Sequence, residues 1–116
     1  MPYEKNKNRD LVLGIDFGTD SCRALALNAD TGEELAVATS YYNRWSKGLY
    51  CDSAQNMYRQ HPLDYIESLQ EVIRNLLGKL PSDSKNNIIA IGCDATSSTV
   101  CITDCEGVPL SLSKQY

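Results

Sequence analysis

The sequence predicts an α/β domain on a mixed sheet: three antiparallel strands, a crossover helix, a parallel strand and a hairpin. Apolar runs at 11–15, 22–27 and 34–42 are separated by short clusters of turn formers, as in an antiparallel meander. An apolar stripe of helical period then runs from Tyr65 to Leu80. A further apolar run at 88–93 follows that helix, and a helix between two strands of one sheet favours a right-handed crossover with parallel pairing.

Each element has a local cause. Leu11-Val12-Leu13-Gly14-Ile15 is continuously apolar, which suits a strand buried on both faces. It ends in Asp16-Phe17-Gly18-Thr19-Asp20-Ser21, and Asn28-Ala29-Asp30-Thr31-Gly32 makes the next turn. Residues 43–59 have no clear period and read as an ordered loop, in which Trp45, Tyr50 and Tyr58 are expected to pack the segment down rather than stack on a ligand. Pro62 suits the first turn of the helix, Asp64 and Glu67 lie near its positive end, and Pro81 stops it. Tyr65, Ile66, Leu69, Val72, Ile73, Leu76, Leu77 and Leu80 form the expected buried stripe. The run at 88–93 reads as fully buried, and Asp104-Cys105-Glu106-Gly107 joins two short apolar stretches as a hairpin turn.

Composition narrows the function classes. At 116 residues there is room for one core, and a net charge of −4 argues against nucleic-acid or anionic-membrane partners, which select basic surfaces. No apolar run approaches membrane-spanning length. Residues 1–9 are polar, resemble no secretory signal and read as a disordered lead-in to a domain over 10–116. The five cysteines show no disulfide rhythm, so a reducing, cytoplasmic setting is expected. Cys22, Cys93 and Cys101 sit in apolar runs, where a thiol behaves as a small hydrophobe. Without a CxxC pair, zinc at Cys101, Cys105 and His61 is disfavoured.

The chemistry concentrates after the first strand. With parallel pairing, Asp16 and Asp94 end neighbouring strands at the sheet edge where open α/β folds bind ligands. A carboxylate at such a place is costly unless a cation, donors or solvent offset its desolvation. Asp94 by itself is equally well read as the start of a solvated turn. Asp16 has more around it. Gly18 permits close backbone approach and an unusual turn, and Thr19 and Ser21 add hydroxyls. The N–H groups of Gly18, Thr19, Asp20 and Ser21 can form an anion nest, and Arg23 adds a forked permanent cation. Asp16 offers the hard oxygen that Mg2+ prefers. Neither GxxxxGK[ST] nor GxGxxG is present.

Leu13-Gly14-Ile15-Asp16-Phe17-Gly18-Thr19-Asp20-Ser21-Cys22-Arg23-Ala24 resembles the first phosphate motif of the FGGY carbohydrate kinases. These belong with actin, hexokinase and Hsp70, whose paired domains are ribonuclease H-like. Residues 42–48, the stretch 60–65 and Ile91-Gly92-Cys93-Asp94-Ala95-Thr96-Ser97-Ser98-Thr99 resemble the L-ribulokinase branch, so the likeness runs from about Asp10 to the end. It implies ATP phosphates over Gly18 and Thr19, Mg2+ organised by Asp16, support of the loop by Arg23, and Thr96, Ser97 and Ser98 facing a ketopentose. It further implies L-ribulose phosphorylation in L-arabinose catabolism. The family's catalytic base, second phosphate motif and adenosine pocket lie downstream, so Asp94 is not taken as the base. The chain is expected to be an inactive N-terminal fragment that needs the remainder of its own chain.

Three alternatives stay open. The chain could belong to another FGGY kinase acting on xylulose, ribitol or a similar polyol, or be a non-enzymatic ATP-binding module. A ribonuclease H-like nuclease would use Asp16, Glu67 and Asp94 as two-metal carboxylates, against the acidic charge balance. One helix covers part of one sheet face, so the isolated chain is expected to self-associate through exposed apolar surface and strand edges.

Overall fold

Strand β1 (Leu11–Phe17) occupies an inner position because it is flanked on both sides. It pairs antiparallel with β2 (Ser21–Asn28) and parallel with β6 (Ile88–Ala95), while β2 pairs antiparallel with β3 (Glu34–Tyr41), giving the order β3-β2-β1-β6. The computed structural model describes residues 10–96 and 100–113. Between β3 and the main helix lie a single-turn helix α1 (Asn43–Ser46) and a two-stranded ribbon of β4 (Cys51–Asp52) and β5 (Met57–Tyr58). The segment expected as an irregular loop therefore has its own short elements. Trp45 packs against the core as expected, whereas Tyr50 and Tyr58 stay more than half exposed.

Helix α2 (Pro62–Gly78) begins where the chain supplies an N-cap: His61 Nδ1 accepts from the Leu63 N–H at 3.1 Å, with Pro62 at the first helical position. It ends at Lys79, two residues before Pro81, whose ring disfavours helical geometry in its predecessor. The buried line is Asp64, Ser68, Val72 and Leu76, at steps of four. The expected stripe holds in large part: Val72 and Leu76 are buried, and Tyr65, Leu69, Ile73 and Leu80 pack against the core. It is corrected at Ile66, which is exposed, and in its N-terminal half, where two polar residues take the buried positions.

The core lies between α2 and one face of β1–β3. Leu13 and Ile15 of β1 meet Cys22, Ala24 and Ala26 of β2 and Ala38 of β3, with Val72 and Leu76 from the helix. Alanines on β2 and β3 let the helix approach closely, which concentrates the apolar contact in a thin layer. Burial pushes the Cys22 thiol up to about 11, with smaller contributions from Asp16 and Cys93, so this cysteine is an inert core thiol.

Two expectations about apolar segments are corrected by the packing. Strand β6 is paired to β1 but nearly all of it is exposed, including Ile89, Ile91 and Cys93, because α2 sits over β2 and β3 rather than over this edge. Cys101 is exposed as well. The hairpin at 100–110 pairs through one bridge, Thr103 with Pro109, instead of two strands. Its turn is held by Asp104 Oδ1, which accepts from the N–H groups of Glu106 and Val108, and Gly107 takes a φ of +81°.

The α1 turn has no cap of its own: its N-cap residue, Tyr42, makes no side-chain capping bond. Asp64, from the first turn of α2, supplies one at long range. Its Oδ1 accepts from the Arg44 N–H and its Oδ2 from the Trp45 N–H, both at 3.2 Å. The Arg44 guanidinium bridges Asp64 at 3.0 Å and Glu67 at 2.9 Å. Its hydrogen bonds hold the Glu67 carboxyl below its ordinary range, and the two carboxylates raise the arginine in turn.

Candidate functional site

The bend between β1 and β2 stands at the C-terminal edge of the inner strand. Phe17 pairs with Cys22, and the connection is closed by the Gly18 N–H donating to the Ser21 carbonyl at 2.9 Å. Gly18 has no positive φ, so the expectation of a backbone conformation closed to other residues is not met. Its constraint is proximity: a Cβ there would lie 3.2 Å from the Ser21 oxygen. Asp16, Thr19 and Asp20 are exposed. Among the described residues, no side chain covers the bend enough to bury them.

Successive carbonyls of the bend are captured by three residues remote in sequence, Thr96, Tyr42 and Gln60. The Phe17 oxygen accepts from Thr96 N at 2.9 Å and Thr96 Oγ1 at 3.1 Å. The Gly18 oxygen accepts from the Tyr42 hydroxyl at 2.9 Å, and that of Thr19 from Gln60 Nε2 at 2.6 Å. The Asp20 oxygen accepts from the Tyr42 N–H at 2.9 Å. By contrast, the N–H groups of Thr19 and Asp20 donate to no acceptor among the described residues. Carbonyls face the protein and two amide donors are left for something outside it. That polarity is what an anion requires.

Charge is arranged in a row beside the bend. Across the sheet, Thr39, Arg23, Asp16 and Asp94 occupy one register line on β3, β2, β1 and β6. Adjacent strands are about 4.8 Å apart, so Asp16 has a carboxylate neighbour on one side and a guanidinium on the other. Arg23 forms no ion pair with another described residue. Two like charges on neighbouring strands repel, and a hard divalent cation held by Asp16 beside exposed amide donors would relieve that. The residues fit Mg2+ and a polyphosphate in their donor set: carboxylate oxygens on the strand end, open N–H groups on the bend, a cation alongside.

The remaining site residues are distributed as follows. The Ser21 hydroxyl donates to Asp20 Oδ1 at 3.0 Å, inside the bend. Thr96 is tied to the bend through its bonds to Phe17. Ser97 and Ser98 lie outside the described residues. Glu67 is separated from Asp16 and Asp94: it lies on α2, where Arg44 of α1 engages it, and α2 packs on the face of Leu13 and Ile15, whereas Asp16 belongs to the alternate, outward set of β1. The carboxylate triad of a nuclease is thus not assembled, and no cluster of three metal-ligating side chains occurs among the described residues.

The sequence suggested no role at the bend for three residues that shape it: Tyr42, Gln60 and Tyr65. Tyr42 is fully buried and meets the Tyr65 ring edge-on at 5.2 Å, Tyr65 meets Phe17 at 5.7 Å, and the Tyr65 hydroxyl donates to Gln60 Oε1 at 2.8 Å. Burial, followed by nearby Tyr65, Cys22, Asp16 and Asp20, pushes the Tyr42 phenol above its ordinary range, so it remains a donor. Beyond Gln60 and Tyr65 lies a mainly apolar cleft of about 580 Å³, bordered also by Tyr50, His61, Val100 and Ile102.

Several known proteins resemble this chain. Over 111 residues, 96% of the chain, it is 40% identical to a ribulokinase from Vibrio parahaemolyticus and covers 20% of that protein. It is 33% identical to a ribulokinase from Halalkalibacterium halodurans over 90% of the chain and 19% of the relative. For one from Bacillus licheniformis the figures are 38%, 83% and 18%. The chain thus spans about a fifth of the length of the curated relatives it matches. No protein-family model matches it. Among solved structures, a xyloylose kinase from Brucella ovis aligns with a TM-score of 0.73 at 20% identity, covering 86% of this chain and 19% of that one. Along nearly its whole length, this chain is similar in sequence to ribulokinases and shares its α/β fold with part of a sugar kinase.

Proposed function

We propose that the chain forms the N-terminal, phosphate-holding part of an ATP-dependent kinase that phosphorylates a ketopentose, L-ribulose, to L-ribulose 5-phosphate. The observation that carries this reading is the bend itself, with carbonyls turned into the protein and the Thr19 and Asp20 amides turned out beside Asp16. Phosphoryl transfer is chiefly positioning and charge neutralisation. In this reading the two amides and Arg23 hold phosphate oxygens and Asp16 places Mg2+, the ion that neutralises charge on the transferred group. Thr96, Ser97 and Ser98, next in sequence after β6, are proposed to face the sugar, since hydroxyls and backbone groups suit a polyol. Asp94 neighbours the metal side without serving as the base. The proton acceptor for the sugar hydroxyl comes from outside residues 1–116.

The test is a hybrid enzyme in which this chain replaces the matching fifth of the Vibrio parahaemolyticus ribulokinase. The hybrid is expected to phosphorylate L-ribulose in preference to xylulose, and the isolated chain to phosphorylate neither. A folded hybrid that binds no nucleotide refutes the reading. A hybrid that prefers xylulose moves the chain to a different sugar within the same chemistry.

The isolated chain is also proposed to self-associate. Ile89 and Ile91 on β6, with Val100 and Ile102 beyond it, leave apolar side chains and an unpaired strand edge in solvent. Light scattering at high concentration is expected to give a dimer or larger species, and a monomer contradicts the proposal.

A further inference from the structure

A trans peptide points its carbonyl and its N–H in opposite directions. The carbonyl of Gly18 and the N–H of Thr19 share one peptide plane, and the carbonyl of Thr19 shares the next with the N–H of Asp20. Whatever grips the first atom of each plane therefore aims the second. Tyr42 Oη grips the Gly18 oxygen at 2.9 Å and Gln60 Nε2 grips the Thr19 oxygen at 2.6 Å. We propose that Tyr42 and Gln60 are positioning residues, each orienting one outward amide, Thr19 N–H and Asp20 N–H respectively, toward the oxygens of a magnesium-bound polyphosphate. The proposal rests on the phosphate-site reading above and adds residues that need not touch the ligand.

The supports of both side chains are themselves held. The Tyr65 hydroxyl donates to Gln60 Oε1, which turns the amide nitrogen of Gln60 toward Thr19. The Tyr42 ring is locked by complete burial and by its edge contact with Tyr65, and its own N–H holds the Asp20 carbonyl. These contacts bring the start of α1, the residue before the α2 cap and the first turn of α2 onto one turn of four residues. A bend without a helix behind it lacks the fixed amides of a helix N-terminus, and here side-chain donors on the carbonyls supply that order.

The experiment follows backbone amide resonances of the full 116-residue chain during titration with magnesium tripolyphosphate. In the parent chain both Thr19 and Asp20 amides are expected to shift. Tyr42→Phe removes one hydroxyl and keeps the ring. It is expected to abolish the Thr19 response, preserve that of Asp20 and weaken binding about tenfold, the scale of one charge-assisted hydrogen bond. Gln60→Met keeps length without the donor and is expected to give the reverse pattern. A purely structural role would lower the melting temperature without separating the two amides. Equal binding by both variants, or equal loss at both amides, overturns the proposal. Should Tyr42→Phe not fold, Gln60→Met decides the question on its own. A parent chain that ignores tripolyphosphate overturns the phosphate-site reading together with this one, an outcome distinct from variants that bind as the parent does.

Discussion

Asp16→Asn is expected to lower kcat of the hybrid kinase by about a hundred- to a thousandfold, the rate equivalent of losing several kcal/mol of metal-borne charge stabilisation. Asparagine keeps the size of the side chain and one acceptor oxygen while removing the charge proposed to hold Mg2+. The loss should be partly recovered at high Mg2+, because weaker occupancy adds to the defect. Stability should change little. Asp16 lies between Asp94 and Arg23 on its two neighbouring strands, so relieved repulsion and lost attraction, each worth about 0.2–1 kcal/mol, offset one another. A substitution that leaves stability unchanged and disables the enzyme marks a residue kept for function. Steady-state kinetics over a Mg2+ series with parallel urea unfolding checks both expectations. A kcat within tenfold of the parent would remove Asp16 from the metal site.

Asp64→Ala is expected to destabilise the chain by about 2–4 kcal/mol, because two buried-side backbone donors and a guanidinium lose their acceptor at once. Asp64 is 1% exposed, and its oxygens accept from the N–H groups of Arg44 and Trp45 as well as from the Arg44 side chain. Asp64→Asn, which keeps a single acceptor oxygen, should lose less. Glu67→Gln should cost little, since that end of the pair is half in water. The Glu67 carboxyl has its folded pKa lowered by the Arg44 hydrogen bonds. Its contribution is therefore present above the unfolded carboxyl's pKa and fades as the pH falls through the folded value. Urea midpoints of the three variants, repeated on the acid side, should rank Asp64→Ala far below the others. Equal midpoints would show that α1 does not depend on this remote cap.

Much of the architecture could be read locally. Short turns at 18–21 and 28–33 make consecutive strands pair antiparallel, and the period of 65–80 makes a helix. The crossover rule then sets β6 parallel to β1, which brings Asp94 into register with Asp16. These are consequences of neighbours in sequence and of chain handedness. The bend proposed to hold phosphate was legible for the same reason, since its glycine, hydroxyls and carboxylate lie within a few positions of one another.

What tertiary structure decided concerns partners far apart in the chain. The grip of Tyr42 on Gly18 spans 24 positions, that of Gln60 on Thr19 spans 41, and that of Thr96 on Phe17 spans 79. No periodicity encodes such bonds, because they depend on where α1, α2 and β6 come to rest. The same placement buries Asp64 inside an apolar face and leaves Ile66 and Ile91 in water, against their intrinsic preferences. Sequence thus determined which backbone makes the tight bend after β1, and packing determined which way its amides point, because a peptide plane takes its direction from the donor that holds its carbonyl.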